Sequence, residues 1–190
     1  MIRLITCFVL LMVFLPCNVF AQEDKYAKYA APDFIEKFSK NFIGHCVQTM
    51  PRVDKVESAA RVFEWRELNG DMAKILAPQD PSSWFKAWLI EIEPKFSVML
   101  GVSIVETENP PVAVCSIANP YAPSKKVLAT LRKYLTFPQS PIADDSSGGQ
   151  RMRIWKYDEL VVGSLIVMTD STKLNEAGTN LTVIVPRYAK

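Results

Sequence analysis

Histidine is almost absent from this chain: His45 is the only one in 190 residues. With it goes the commonest general base and the commonest zinc ligand, so nucleophile–histidine pairs and His-rich metal centres have little to draw on. The G-x-S-x-G elbow, H-E-x-x-H, CxxC and the phosphate-cradling glycine loop are missing too. No excess of one charge exists: 22 Lys and Arg face 20 Asp and Glu, for a net +2, which argues against nucleic acid or a polybasic membrane contact. No apolar run beyond the first residues is long enough for a membrane span. These absences weigh against an enzyme and leave no cofactor and no metal to expect.

What is present begins with MIRLITCFVLLMVFLPCNVFAQED. Arg3 gives a short basic start, Leu4 to Pro16 an apolar run, and Val19-Phe20-Ala21 a cleavage-type ending, which together read as a secretory signal peptide over residues 1–21. Pro16 before Cys17 is unsuited to a lipid-modified cysteine. The remaining residues, 22–190, have the size of one domain, and the expected location is periplasmic or secreted, with no stable membrane insertion after cleavage.

Four cysteines are encoded, of which Cys7 and Cys17 leave with the signal. Cys46 and Cys115 remain, and an oxidising compartment turns two neighbouring thiols into a disulfide. In FIEKFSKNFIGHCV, helical spacing sets Phe34, Phe38, Phe42 and Cys46 on one stripe, while His45 points elsewhere and cannot serve Cys46 as a base on the same helix. Cys115 alternates with Ala113 and Ile117 on the inner side of a strand. A Cys46–Cys115 bridge pinning helix to sheet is expected.

The order of elements gives the fold class. Helices are expected from Pro32 to about Gln48 and from Asp54, capped by Asp54 with Glu57 reaching back, to Asn69-Gly70, with Phe63 on the inner face. One helical turn falls around Met72 to Leu76. SSWFKAWLIEIEP, where Ser82 or Ser83 could cap a short helix, is read as a strand because its Leu89 to Glu93 end alternates; strands follow at Phe96 to Glu106 and from Pro111, then a helix capped by Ser124 and a long loop, Thr136 to Gln150. Strands at Arg151–Tyr157, Leu160–Thr169 and Asn180–Arg187 complete the chain. This is α+β: two N-terminal helices, then a mostly antiparallel sheet with a third helix inserted between strand groups. Residues 32–118 and 119–190 repeat the order helix-then-strands, and GVSIVET at Gly101 aligns loosely with GSLIVMT at Gly163, the pattern of a tandem duplication.

In QRMRIWKYD, alternation puts Arg151, Arg153, Trp155 and Tyr157 on one face and Met152 and Ile154 on the other. If the second face is core, the first displays guanidinium and aromatic groups suited to a partner protein or an envelope ligand, and it is the candidate binding surface. The function expected is therefore non-catalytic binding. The alternative is a small carboxylate-dependent envelope hydrolase or lyase, for which Glu91, Glu93 and Glu106 are the available strand carboxylates. A third class, an accessory subunit, would show itself by an exposed apolar patch or an open strand edge.

The combination of VFAQED, FIEKFSKNFIGHC and VAVCSIANP resembles small exported proteins of Gram-negative bacteria with an early aromatic helix ending in Cys and a later strand Cys. That resemblance covers most of the mature chain and implies a periplasmic or secreted location, with no activity to transfer. In element order the chain is also similar to tandem helix-plus-sheet secreted inhibitors of proteases or β-lactamases.

Overall fold

The computed structural model describes residues 27–80, 83–94, 96–106, 109–172 and 178–188, so the segment read as a signal peptide lies outside the described residues. After a 3-10 turn at Ala27–Ala30, helix α1 runs Pro32–Phe42. Pro32 at its start needs no N–H partner, and Asp33 suits the positive end of the helix dipole. Its stripe is the expected one: Phe34, Phe38 and Phe42 are buried. The helix does not continue evenly to Gln48, because Ile43–Val47 form a wider π turn closed by the Gln48 N–H donating to the Ile43 carbonyl at 2.9 Å. Cys46 sits in that turn and is bonded to Cys115 across 69 residues, Cα–Cα 5.3 Å. In the chain-entropy picture such a closure contributes about 4 kcal/mol.

Helix α2, Val53–Val62, starts one residue before Asp54, and Asp54 does not cap it. Its carboxylate accepts two bonds from the Arg52 guanidinium instead, and Glu57 pairs with Lys86. The helix also stops well before Asn69-Gly70. Glu64 takes a left-handed φ of 52°, and the chain then extends as β1, Arg66–Glu67. Gly70, at φ 63°, serves the next turn, which opens the short helix α3, Asp71–Lys74.

The remaining elements are β2 (Trp84–Glu93), β3 (Phe96–Val105), β4 (Val112–Asn119), α4 (Ser124–Leu131), β5 (Ala143–Ser147), β6 (Gln150–Lys156), β7 (Leu165–Ser171) and β8 (Thr179–Pro186). The eight strands form one antiparallel sheet in the order β1-β2-β3-β4-β8-β7-β6-β5. The α+β class and the helix inserted between strand groups are as the sequence implies. Part of the long loop is different: it carries β5, which turns through Gly148 and Gly149 into β6. Ala-Asp-Asp-Ser-Ser has no apolar alternation because every residue of β5 is exposed. The strand expected from Leu160 begins only at Leu165, since Gly163 (φ 87°) makes a turn held by the Asp158 carboxylate accepting its N–H at 2.8 Å.

The register repeats as well as the order. Trp88 stands opposite Leu100 and Leu100 opposite Ile117; in the second half Trp155 stands opposite Ile166 and Ile166 opposite Val183. Where the halves meet, Ile117 pairs with Leu181 and Val183 with Cys115. The two series are therefore related by an approximate two-fold axis between Ser116 and Thr182, whose hydroxyls bond at 2.8 Å. In this register Leu100 matches Ile166 and Gly101 matches Val167. The loose alignment of Gly101 with Gly163 is out of step, because Gly163 lies in the turn before β7.

Helices α1, α2 and α4 bury one face of the sheet, with Trp88, Leu100, Ile117, Trp155, Ile166 and Val183 in the common core. The opposite, outer face carries a second apolar cluster, and among the described residues it lies on the first half. There Leu68, Ala73 and Leu76 pack on Phe85, Ala87, Leu89, Met99 and Ala118. One outer row crosses all eight strands: Arg66, Leu89, Met99 and Ala118 in the first half, Asn180, Thr169, Met152 and Asp145 in the second.

Candidate functional site

The Arg/aromatic strand is turned the other way from the expectation. Trp155 is 1% exposed and Tyr157 5%, whereas Met152 is 41% exposed. Trp155 packs edge-on against Phe137, its ring centroid 5.6 Å away. The reason is volume: at the place matching Trp88, the core under α4 needs a second large side chain, so the aromatic face is the inner one. Arg153 goes with it as a positioned cation. Its guanidinium donates to Asp170 at 3.0 Å, lies 5.8 Å from the Trp155 ring, and Asp170 also accepts the Ser124 hydroxyl at 2.5 Å. The side chains of that ion pair are only 11% and 12% exposed, so it ties β6, β7 and the start of α4 together. Ser124 thus serves Asp170 rather than capping α4. Arg151 alone reaches solvent, where its guanidinium holds the Asp144 carboxyl below the usual carboxylate range. Burial, with Glu159 beside it, pushes the Tyr157 phenol up to about 12.

The strand carboxylates do not gather. Glu93 pairs with Lys37, Glu106 with Arg187, and Glu91 is exposed. The length of β3 alone puts Glu106 about 30 Å from the end of the sheet that holds Glu91. Trp84 and Trp88 differ as well: Trp88 is core and Trp84 is 36% exposed.

A different place has the shape of a site. Strand β2 runs to Glu93, but β1 covers only Trp88 and Leu89. The Ala87 carbonyl accepts the Leu68 N–H at 2.8 Å, so the period of two turns the backbone groups of Leu89 and Glu91 to that same edge. Glu91 has no strand opposite it there among the described residues. Glu64 causes the gap, because its left-handed backbone bends the chain away from the sheet. The space left is a cleft of about 790 Å³ lined by Asn41, His45, Phe63, Trp65 and Glu91 among others.

Its walls are aromatic. Phe63 and Trp65 stack at 6.1 Å, and the His45 ring meets Trp65 edge-on at 4.7 Å. Phe63 is 63% exposed rather than on the inner face of α2. Burial lowers the His45 imidazole below its ordinary range, so at neutral pH it offers an uncharged ring. Glu64 and Glu91 also line the cleft, but both are solvent-exposed and lack the apolar enclosure that distinguishes a catalytic acid from its partner. Among the described residues no group of three or more His, Cys, Asp or Glu could hold a metal ion, and no helix is long and apolar enough to cross a membrane. What the cleft offers is aromatic surface and an open backbone edge.

Comparison of the chain with protein-family models, with curated proteins and with solved structures finds no match in any of the three. Sequence reasoning missed this cleft because Phe63 and Trp65 fall at a helix exit, where an aromatic reads as the last turn of a core stripe. The signal available was the alternation in FEWR, Phe63 to Arg66, apolar and charged by turns, which is strand-like and out of keeping with a helix.

Proposed function

We propose that the protein is an exported, non-catalytic binding protein that takes an extended segment of another protein into the cleft beside β2. The observation that carries this reading is the coincidence of a strand edge at Glu91, unpaired among the described residues, with the stack of exposed Phe63 on half-buried Trp65. An added strand would find backbone partners along the edge and aromatic walls for its alternate side chains. Export is supported by the basic and apolar start of the sequence and by the Cys46–Cys115 disulfide, which is consistent with a non-cytoplasmic compartment. The repeated order and register support an internal duplication whose halves have since diverged on their outer faces. The binding surface proposed is the cleft in place of the Arg151, Arg153, Trp155, Tyr157 strand, whose aromatic rings are interior.

The test is selection of displayed random peptides on the mature, disulfide-bonded protein. Selected peptides should lose at least tenfold in affinity to Phe63→Ser, with unchanged melting temperature, and lose nothing to Val162→Ser at a remote exposed site. Peptides that bind Phe63→Ser as well as the wild type would refute the cleft as the binding site.

A further inference from the structure

A second surface is left open by the asymmetry of the halves. On the first half, Leu76 sits over Gly101; at the matching place on the second half stands Val167, 8% exposed among half-buried apolar neighbours. Around it Ile154, Leu165, Ile184 and Val114 belong to neither apolar cluster, and Met152 is 41% exposed. The segment that covers the first half is itself apolar on its far side, with Met72 47% and Ile75 61% exposed. One half thus carries an apolar ridge and the other an apolar floor.

The geometry points to a second copy of this chain as the occupant of that floor. A two-fold axis lying along the strands, in the plane of the interface and over the β4–β8 boundary, would bring each copy's ridge onto the other's floor. The outer row that crosses the sheet fixes the charges. It begins with Arg66 and ends with Asp145, both exposed and both without an ion-pair partner among the described residues. The same rotation lays Arg66 of one copy over Asp145 of the other, twice. It also carries Ile75 toward the partner's Thr169 and Asn180. Those residues, with that copy's own Ile75, Met99 and Ala118, line a groove of about 630 Å³ with room for a side chain. Each ridge then fills the gap between two sheets, and the self-complementary pairing is closed, as a stable two-fold dimer requires.

Sedimentation velocity of the mature disulfide-bonded chain over a concentration series tests this. Wild type should dimerise. Asp145→Arg and Arg66→Asp, both surface changes, should each weaken association at least tenfold with unchanged melting temperature, and the double reversal should restore it to within a few-fold. Ile154→Glu should leave a monomer. A wild type that is monomeric throughout, with or without another protein on this face, overturns the proposal. So does a dimer indifferent to both charge reversals, or one that the double reversal fails to rescue.

Discussion

The two halves of the sheet share a register and differ in what lies over it. At one of the matching places the first half has Gly101 and the second Val167. A Cβ on Gly101 would come within 3.0 Å of the Leu76 Cβ and 3.1 Å of the Phe85 ring, tighter than nine in ten such contacts. The covering segment lies close on the first half where that strand gives up a side chain. The second half keeps its β-branched residues, and with them an outer face that nothing described shares a cluster with. On the helix side the halves are alike, each burying a tryptophan. Packing imposes one pattern on the inner faces and leaves the outer ones free to differ.

The largest effect is expected where the halves should behave alike. Trp88→Ala and Trp155→Ala each empty a matching core position and should each cost about 3–5 kcal/mol in denaturant unfolding. A surface role for Trp155 would leave stability nearly unchanged, and the two halves would then not be equivalent. Next comes the place where they should differ. Gly101→Val forces the covering segment away and should cost about 1–3 kcal/mol. Val167→Ile, a like enlargement at the matching place, meets no covering segment and should cost about 1 kcal/mol or less. Equal costs would mean that Leu76 does not rest on Gly101.

The smallest effects are those of pH, and they separate the cleft from the β6 strand. Burial lowers the His45 pKa, so the unfolded chain binds the proton more readily. The stabilisation from neutral His45 is complete above the unfolded value of about 6.5 and lost as pH falls through the folded value. His45→Gln should remove that acid-side slope. Tyr157 has the opposite sign: its phenol, raised to about 12, keeps its proton in the fold, so stability is intact below about pH 10 and falls as pH rises through 12. Thermal melts of Tyr157→Phe should lack the alkaline fall.

Much of this architecture can be read from residue order alone, and the failures share a cause. The stripe Phe34, Phe38, Phe42, Cys46 and the strand Ala113, Cys115, Ile117 are legible because one face of each is buried, so alternation carries the message and the disulfide follows. The strand Arg151–Tyr157 alternates just as cleanly, but alternation does not say which face is inside. Met152 and Ile154 look like core, yet they lie on the open floor. Only tertiary demand for a tryptophan under α4 decides the matter. β5 and the cleft were illegible for another reason. A fully exposed strand has no pattern, and a gap in a sheet edge is made by one residue, Glu64, in a backbone conformation that its side chain does not announce.

Hydroxyl-radical footprinting of the disulfide-bonded protein across a dilution series tests the contrast between inner and outer faces most directly. The account predicts that Trp155 and Met99 stay protected at every concentration, while Met152 is oxidised readily in dilute solution and becomes shielded as concentration rises. Oxidation of Trp155 in the dilute native protein, or a Met152 as protected there as Met99, would contradict it.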